Sequence, residues 1–198
     1  MHFLYIDTTD KLILGLLDET FQWVSYQKFN DVKPSEALHL EVKNLMEKYK
    51  LNLMLDIHII NAAGPGSYTG MRLTEGFVQV LSLEKIPMSS FYHFEVPMLY
   101  SVNSGIFISN AFKNQFFQYT WDLSHKDPGT GILIDKNNMN FSKSVYTLGE
   151  DQNFSQTTST IDLLKNFPDI ILKKIVQRNI ELPSYYYRAL EDEFKVLC

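Results

Sequence analysis

Cysteine is nearly absent: of 198 residues, only Cys198 carries a thiol. One thiol closes no internal disulfide and supplies no Cys-x-x-Cys metal pair. No apolar run approaches the roughly 18 residues that a membrane-spanning helix needs. The first residues, Met1 to Asp7, lack the basic start and small-residue cleavage site of a secretory leader, so a cytoplasmic protein is expected. Positive charge is also short, with 18 Lys and Arg against 23 Asp and Glu, a formal net charge of −5 and a pI of about 5.5. Direct nucleic-acid binding depends on cations that neutralise phosphates, and this balance argues against it. The histidines are His2, His39, His58, His93 and His125, and no two stand four residues apart. A pair of imidazoles sharing a metal from one helix face needs that spacing, so no metal site is expected.

Aromatic residues, by contrast, make up 14% of the chain, within a composition that is 45% hydrophobic and 21% charged. That is the profile of a globular protein with enough large side chains to fill a firm core. Short apolar runs predict strands at Phe3 to Asp7, Leu12 to Leu17 and Phe21 to Phe29. A helix is predicted from Ser35 to Tyr49, with Leu38, Val42, Leu45, Met46 and Tyr49 on one stripe. A buried strand from Asp56 to Ala62, a helix from Met71 to Lys85 and a strand from Pro87 follow. Phe91 to Val102 reads as helical, interrupted at Pro97. In the second half, 105–111, 115–121, 132–134 and 145–148 are strand candidates, and Ile161 to Phe167 and Asp169 to Arg178 are helices. Asp127 to Gly131 and Asp135 to Asn138 read as turns, and Gln152 to Thr160 as a loop. The order β-β-β-α-β-α, then a strand-rich half, predicts an α/β fold of the actin-like ATPase and sugar-kinase kind, by analogy of arrangement. Two lobes are expected, residues 1–100 and a reduced one over 101–198.

The most informative stretch runs Gly64-Pro65-Gly66-Ser67-Tyr68-Thr69-Gly70-Met71-Arg72. Three glycines and a proline between a buried strand and a helix make a tight turn. Its amides could cradle an anion at the helix N-terminus, or the turn could be purely structural. The Gly-Lys-Ser/Thr ending of a P-loop is missing. A serine nucleophile elbow needs glycines two residues either side of the serine, where Pro65 and Thr69 stand instead.

From Ala62 to Leu73 the sequence resembles the signature of the TsaB (YeaZ) family, close to G-P-G-S-F-T-G-[LV]-R-I. Ile6-Asp7-Thr8-Thr9 resembles the family's opening, Ile86 to Ser90 its I-P-L-x-G-V-S-S stretch, and Leu182 to Arg188 its P-x-Y-L-R close. Thr74 and Val80 stand where the family usually has glycine, and Asn110-Ala111-Phe112 where it has D-A-R. The resemblance implies a non-catalytic subunit of the bacterial complex that transfers threonylcarbamoyl to tRNA adenosine. It would support a metal-dependent TsaD-like catalytic subunit, with a TsaE-like ATPase in the same complex, and form a homodimer when alone. Contact with tRNA would be indirect. No cofactor is expected on this chain by itself, and a nucleotide at a complex interface stays open. The older label for the family, glycoprotease, would require a metal or a nucleophile with a base, and no such set is visible.

Two other readings remain at this point. A small actin-like kinase or ATPase could use Asp7-Thr8-Thr9 as its first phosphate loop, although that run also reads as a strand-end turn. A pseudo-enzyme could act by self-dimerisation alone. Apolar residues spread around most of the helix at 71–85. Leu73, Phe77, Val80 and Leu81 read as its core stripe. Met71, Thr74 and Val78, with Leu81 at the margin, read as a second surface for a partner. His39 and Met46 of the preceding helix are expected beside them.

Overall fold

Strand β1, His2–Asp7, is apolar at nearly every position because both of its faces are covered. Leu4 and Ile6 point to one layer of helices, Phe3 and Tyr5 to another. A strand buried on both sides loses the alternation that marks a half-exposed one. The computed structural model describes residues 1–111, 115–125, 127–135, 143–149 and 157–186.

The first sheet has the order β3-β2-β1-β4-β5, built from β1, β2 (Leu12–Leu17), β3 (Trp23–Phe29), β4 (Ile57–Ala62) and β5 (Met88–Phe91). The first three strands form an antiparallel meander, and β4 and β5 join β1 in parallel. Parallel neighbours need crossovers, and the two helices α1 (Pro34–Tyr49) and α2 (Tyr68–Ser82) supply them. Both lie on one face, packed over Leu4, Ile6, Leu14, Ile57 and Ile59.

The second sheet repeats the pattern. Its order is β10-β9-β6-β7-β8, from β6 (Ser104–Asn110), β7 (Gln115–Asp122), β8 (Asp127–Asp135), β9 (Val145–Thr147) and β10 (Thr157–Ser159). Strands β6, β7 and β8 are an antiparallel meander, and β9 and β10 are parallel to β6 and to each other. Between the sheets come a single 3-10 turn, His93–Glu95, and the short helix α3, Val96–Leu99. Two sheets of one strand order, joined at the ends of their parallel strands, form the expected α/β actin-like arrangement.

The last helices, α4 (Thr160–Asn166) and α5 (Pro168–Arg178), return to the first sheet. Ile161, Leu164, Ile171, Leu172 and Ile175 bury themselves against Phe3, Tyr5, Ile60 and Phe91. The inner face of the second sheet is aromatic: Phe107, Phe117, Trp121 and Tyr146 close around Phe94.

The structure corrects four local expectations, the first being a helix over Phe91 to Val102: Phe91 ends β5, only His93–Glu95 and Val96–Leu99 are helical, and Pro97 lies in the first turn of α3 instead of interrupting a helix. Helix α2 begins at Tyr68, because the Ser67 hydroxyl accepts from the Gly70 N–H and caps it, and it ends at Ser82. Asp127 to Gly131, read as a turn, is the first half of β8, with Gly129 at φ +103° packed on the Tyr119 ring. Thr157 to Ser159, read as loop, pairs with β9. The turn at 136–138 lies outside the described residues.

Candidate functional site

The glycine loop connects β4 to α2 and leans on the turn after β1. Gly64, Pro65, Gly66 and Gly70 are buried, while Ser67 and Thr69 are exposed and Tyr68 is half-buried. The Ser67 N–H donates to Thr9 O at 2.6 Å, and the Thr8 hydroxyl donates to Gly70 O at 2.6 Å. A Cβ on Gly66 would strike the Thr9 backbone, and one on Gly70 the Thr8 carbonyl. These two glycines are therefore required by close approach of two backbones, whereas Gly64 sits at φ +112°. The Gly64–Pro65 bond is cis. Of the two uses left open for this loop, packing against the first hairpin is the one its hydrogen bonds serve.

Thr74 explains one departure from the family signature. Its hydroxyl lies 2.7 Å from that of Thr8, which already donates to Gly70 O, so Thr74 donates to Thr8. The side chain that replaces a glycine thus adds a bond between helix and turn.

Next to the loop lies a closed polar cluster that the sequence did not reveal. Asp7, at the end of β1, has no exposed surface, and neither has His93. Asp7 Oδ1 accepts from the Thr9 N–H at 2.8 Å and the Thr9 hydroxyl at 2.6 Å. Asp7 Oδ2 accepts from the Tyr5 hydroxyl at 3.0 Å and faces His93 Nε2 at 3.1 Å. An ionised carboxylate only accepts, so Nε2 carries a proton. On the other side of the ring, Nδ1 stands 3.0 Å from the Thr160 hydroxyl, which donates to Thr147 O at 3.0 Å. One chain of bonds therefore runs from β1 through the 3-10 turn to α4 and β9, from the first sheet to the second.

Burial pushes the Asp7 carboxyl up, but the His93 imidazole and the hydrogen bonds from His93 and Thr9 together hold it below the usual carboxylate range. The same burial, reinforced by the Asp7 charge, pushes the Tyr5 phenol well above its ordinary value. Asp7, Thr9 and His93 sit at the carboxyl ends of parallel strands, where α/β folds place ligands. Here their own side chains fill the space and satisfy one another, and both Thr8 and Thr9 are buried. Among the described residues, no group of three or more His, Cys, Asp and Glu could hold a metal, and no helix is long and apolar enough to cross a membrane.

The buried stripe of α2 is rotated from the one expected, toward Met71 and Thr74. Met71 (2% exposed), Thr74 (1%) and Leu81 (9%) face the sheet, so these proposed contact residues belong to the protein's own core. Val78, half-buried, packs on the same cluster. Of the expected core stripe, Leu81 is buried, Leu73 and Phe77 are half-buried and pack on the same cluster as Val78, and Val80 alone faces outward, 64% exposed. The rotation has a simple cause. Both sides of this helix are apolar, and the wheel alone cannot say which one meets the sheet; the loop's grip on Gly70 and Thr74 decides it.

Beside α2, α1 and the loop that follows it line an open groove of about 370 Å³ whose walls include His39, Val42, Met46 and Leu53, with Phe77 contributed by α2. His39 is exposed and stands edge-on to Phe77, centroids 5.0 Å apart. Met46 is buried at the groove's base. Leu40 of α1 (56% exposed) and Leu83, at the end of α2 (80%), are also open to solvent. Arg72 reaches over the Tyr68 ring at 5.4 Å on the neighbouring strip of α2.

No family model matches the sequence, and no curated protein does either. Solved structures do match. The class they define is an α/β fold covering nearly all of the chain. In particular, it is the fold of YeaZ. "YeaZ from Pseudomonas aeruginosa" superposes with a TM-score of 0.61 at 15% identity, covering 93% of this chain and 99% of that one. An uncharacterized protein with similarity to peptidase YeaZ from Pseudomonas aeruginosa superposes with a TM-score of 0.65 at 15% identity, covering 94% and 99%. At that identity the likeness establishes the fold.

Proposed function

We propose that this chain is a TsaB-like accessory subunit. It has no catalytic centre of its own and binds a TsaD-like catalytic subunit during transfer of threonylcarbamoyl to tRNA adenosine, with a TsaE-like ATPase in the same complex. The signature at 62–73 and the YeaZ fold over nearly the whole chain support the family. The observation that carries the role is the open apolar groove lined by His39, Val42 and Met46 of α1, by Leu53 and by Phe77 of α2, together with Val80, which α2 holds 64% exposed. Such a surface is stabilised by burial against another protein. The polar cluster at the strand ends speaks for the accessory role, since Asp7, Thr9 and His93 are fully engaged with one another.

The test is loss of the gene. Threonylcarbamoyladenosine should disappear from tRNA digests and return with the wild-type chain. Unchanged levels would remove the proposal. In a second arm, the purified chain should co-elute with a TsaD-like subunit and show no ATP turnover alone.

A further inference from the structure

Residues 180–186, which follow α5, cross back over the molecule and tie both sheets together. The Ser90 N–H donates to Ile180 O at 2.8 Å and the Tyr185 N–H to Ala63 O at 2.7 Å, so the segment lies along the ends of β4 and β5. The Tyr92 hydroxyl donates to Pro183 O at 2.9 Å. The Tyr185 ring is held by Tyr92, Phe94 and Phe117, with centroids 5.0, 5.1 and 5.3 Å away. Its neighbour Tyr186 turns toward α2. There its hydroxyl donates to Glu75 Oε2 at 2.8 Å, and its ring lies 5.3 Å from that of Tyr68.

We propose that this segment is a clasp that positions α2, with Tyr186 and Glu75 as the positioning residues and Tyr185 as the anchor. The consequence for binding rests on the reading of the outer face as a partner surface. Met71, Thr74 and Leu81 seat α2 on the sheet, and Leu73, Phe77 and Val78 pack at the edges of the same cluster. On one flank Phe77 meets His39 of α1. Glu75 lies on the opposite flank, so the Tyr186 bond is the second lateral support. Because Tyr185 is fixed between the sheets, the tilt of α2 is referred to the aromatic plug of the second sheet. A surface held in one orientation binds with less ordering cost, so loosening the clasp weakens association without removing any contact.

The experiment uses the full chain with Tyr186→Phe, Glu75→Leu and Glu75→Gln. Amide hydrogen exchange along α2 in the isolated protein reads the clasp, and titration with a TsaD-like subunit reads its consequence. Tyr186→Phe and Glu75→Leu should speed exchange in α2 and weaken association by about tenfold, the order of one hydrogen bond to a charged group. Melting temperature should fall by several degrees, in step with the lost bond, with the fold retained. Glu75→Gln keeps an acceptor and should behave as wild type in both measurements. Unchanged exchange in both disrupting variants overturns the clasp. Faster exchange with unchanged affinity overturns its positioning role. If the wild-type chain binds no TsaD-like subunit, the accessory-subunit reading fails instead, and exchange alone decides the clasp.

Discussion

The two sheets share one strand order and differ in what covers them. In each, three antiparallel strands stand beside two parallel ones. The first sheet carries α1 and α2 on one face and α4 and α5 on the other, so β2 and β4 are buried throughout and β1 from Phe3 onward. The second contributes an aromatic inner face, and the helices that follow its last strand pack on the first sheet. The first sheet is thus a complete hydrophobic sandwich. The second is attached to it by an aromatic plug, one buried chain of hydrogen bonds and the segment at 180–186. A repeated topology does not imply repeated energetics.

The largest effect should come from breaking that attachment. His93→Ala leaves the buried Asp7 carboxylate without the imidazole N–H it accepts from. A buried charged group left short of a partner costs more than a neutral one, for which the loss is about 1–3 kcal/mol. Urea unfolding should show the loss. A change below about 1 kcal/mol would mean that the seam is not held this way. Smaller, and confined to the first sheet, should be Gly70→Val, which drives a branched side chain into the Thr8 carbonyl. Overpacking costs about 1–3 kcal/mol, so a melting temperature equal to wild type would contradict the contact.

Acid should weaken the same seam. The Asp7 carboxyl is held below its unfolded value, which is about 3.9 for a free aspartate. Its contribution is therefore complete above that pH and is lost as pH falls through the lower folded value. Wild-type stability should drop on acidification below about pH 4 by more than that of Asp7→Asn, measured by denaturant midpoints. Equal pH dependence in the two proteins would show that Asp7 is not the group responsible.

The first half was legible because its signals agree. Leu12 to Leu17 is apolar and bounded by turns, Pro34 opens α1, and the Gly64 to Gly70 run can only be a tight connection. The second half was harder to read, since Asp127-Pro128-Gly129 carries turn chemistry yet lies in a strand. Gly129 is used there for its fit on Tyr119 rather than for a reversal. Of the candidate site, the loop was visible because its glycines crowd together in sequence. The Asp7–His93–Thr160 chain was not, since its members are brought together by topology alone. A lone histidine between Tyr92 and Phe94, in a run that is otherwise aromatic, was the one hint.

The faces of α2 bear most directly on what the protein does, and one paired substitution separates them. Val78 packs toward the core and Val80 toward solvent. Val78→Asp should lower thermal stability sharply, because a carboxylate is forced against apolar neighbours. Val80→Asp should leave stability within about 0.5 kcal/mol, as exposed substitutions do. The deciding measurement is the affinity of folded Val80→Asp for a TsaD-like subunit, by calorimetry beside wild type. The proposed role predicts at least a tenfold loss, since a charge would enter the proposed contact. Binding as tight as wild type would show that the outer face of α2 is not where the partner sits.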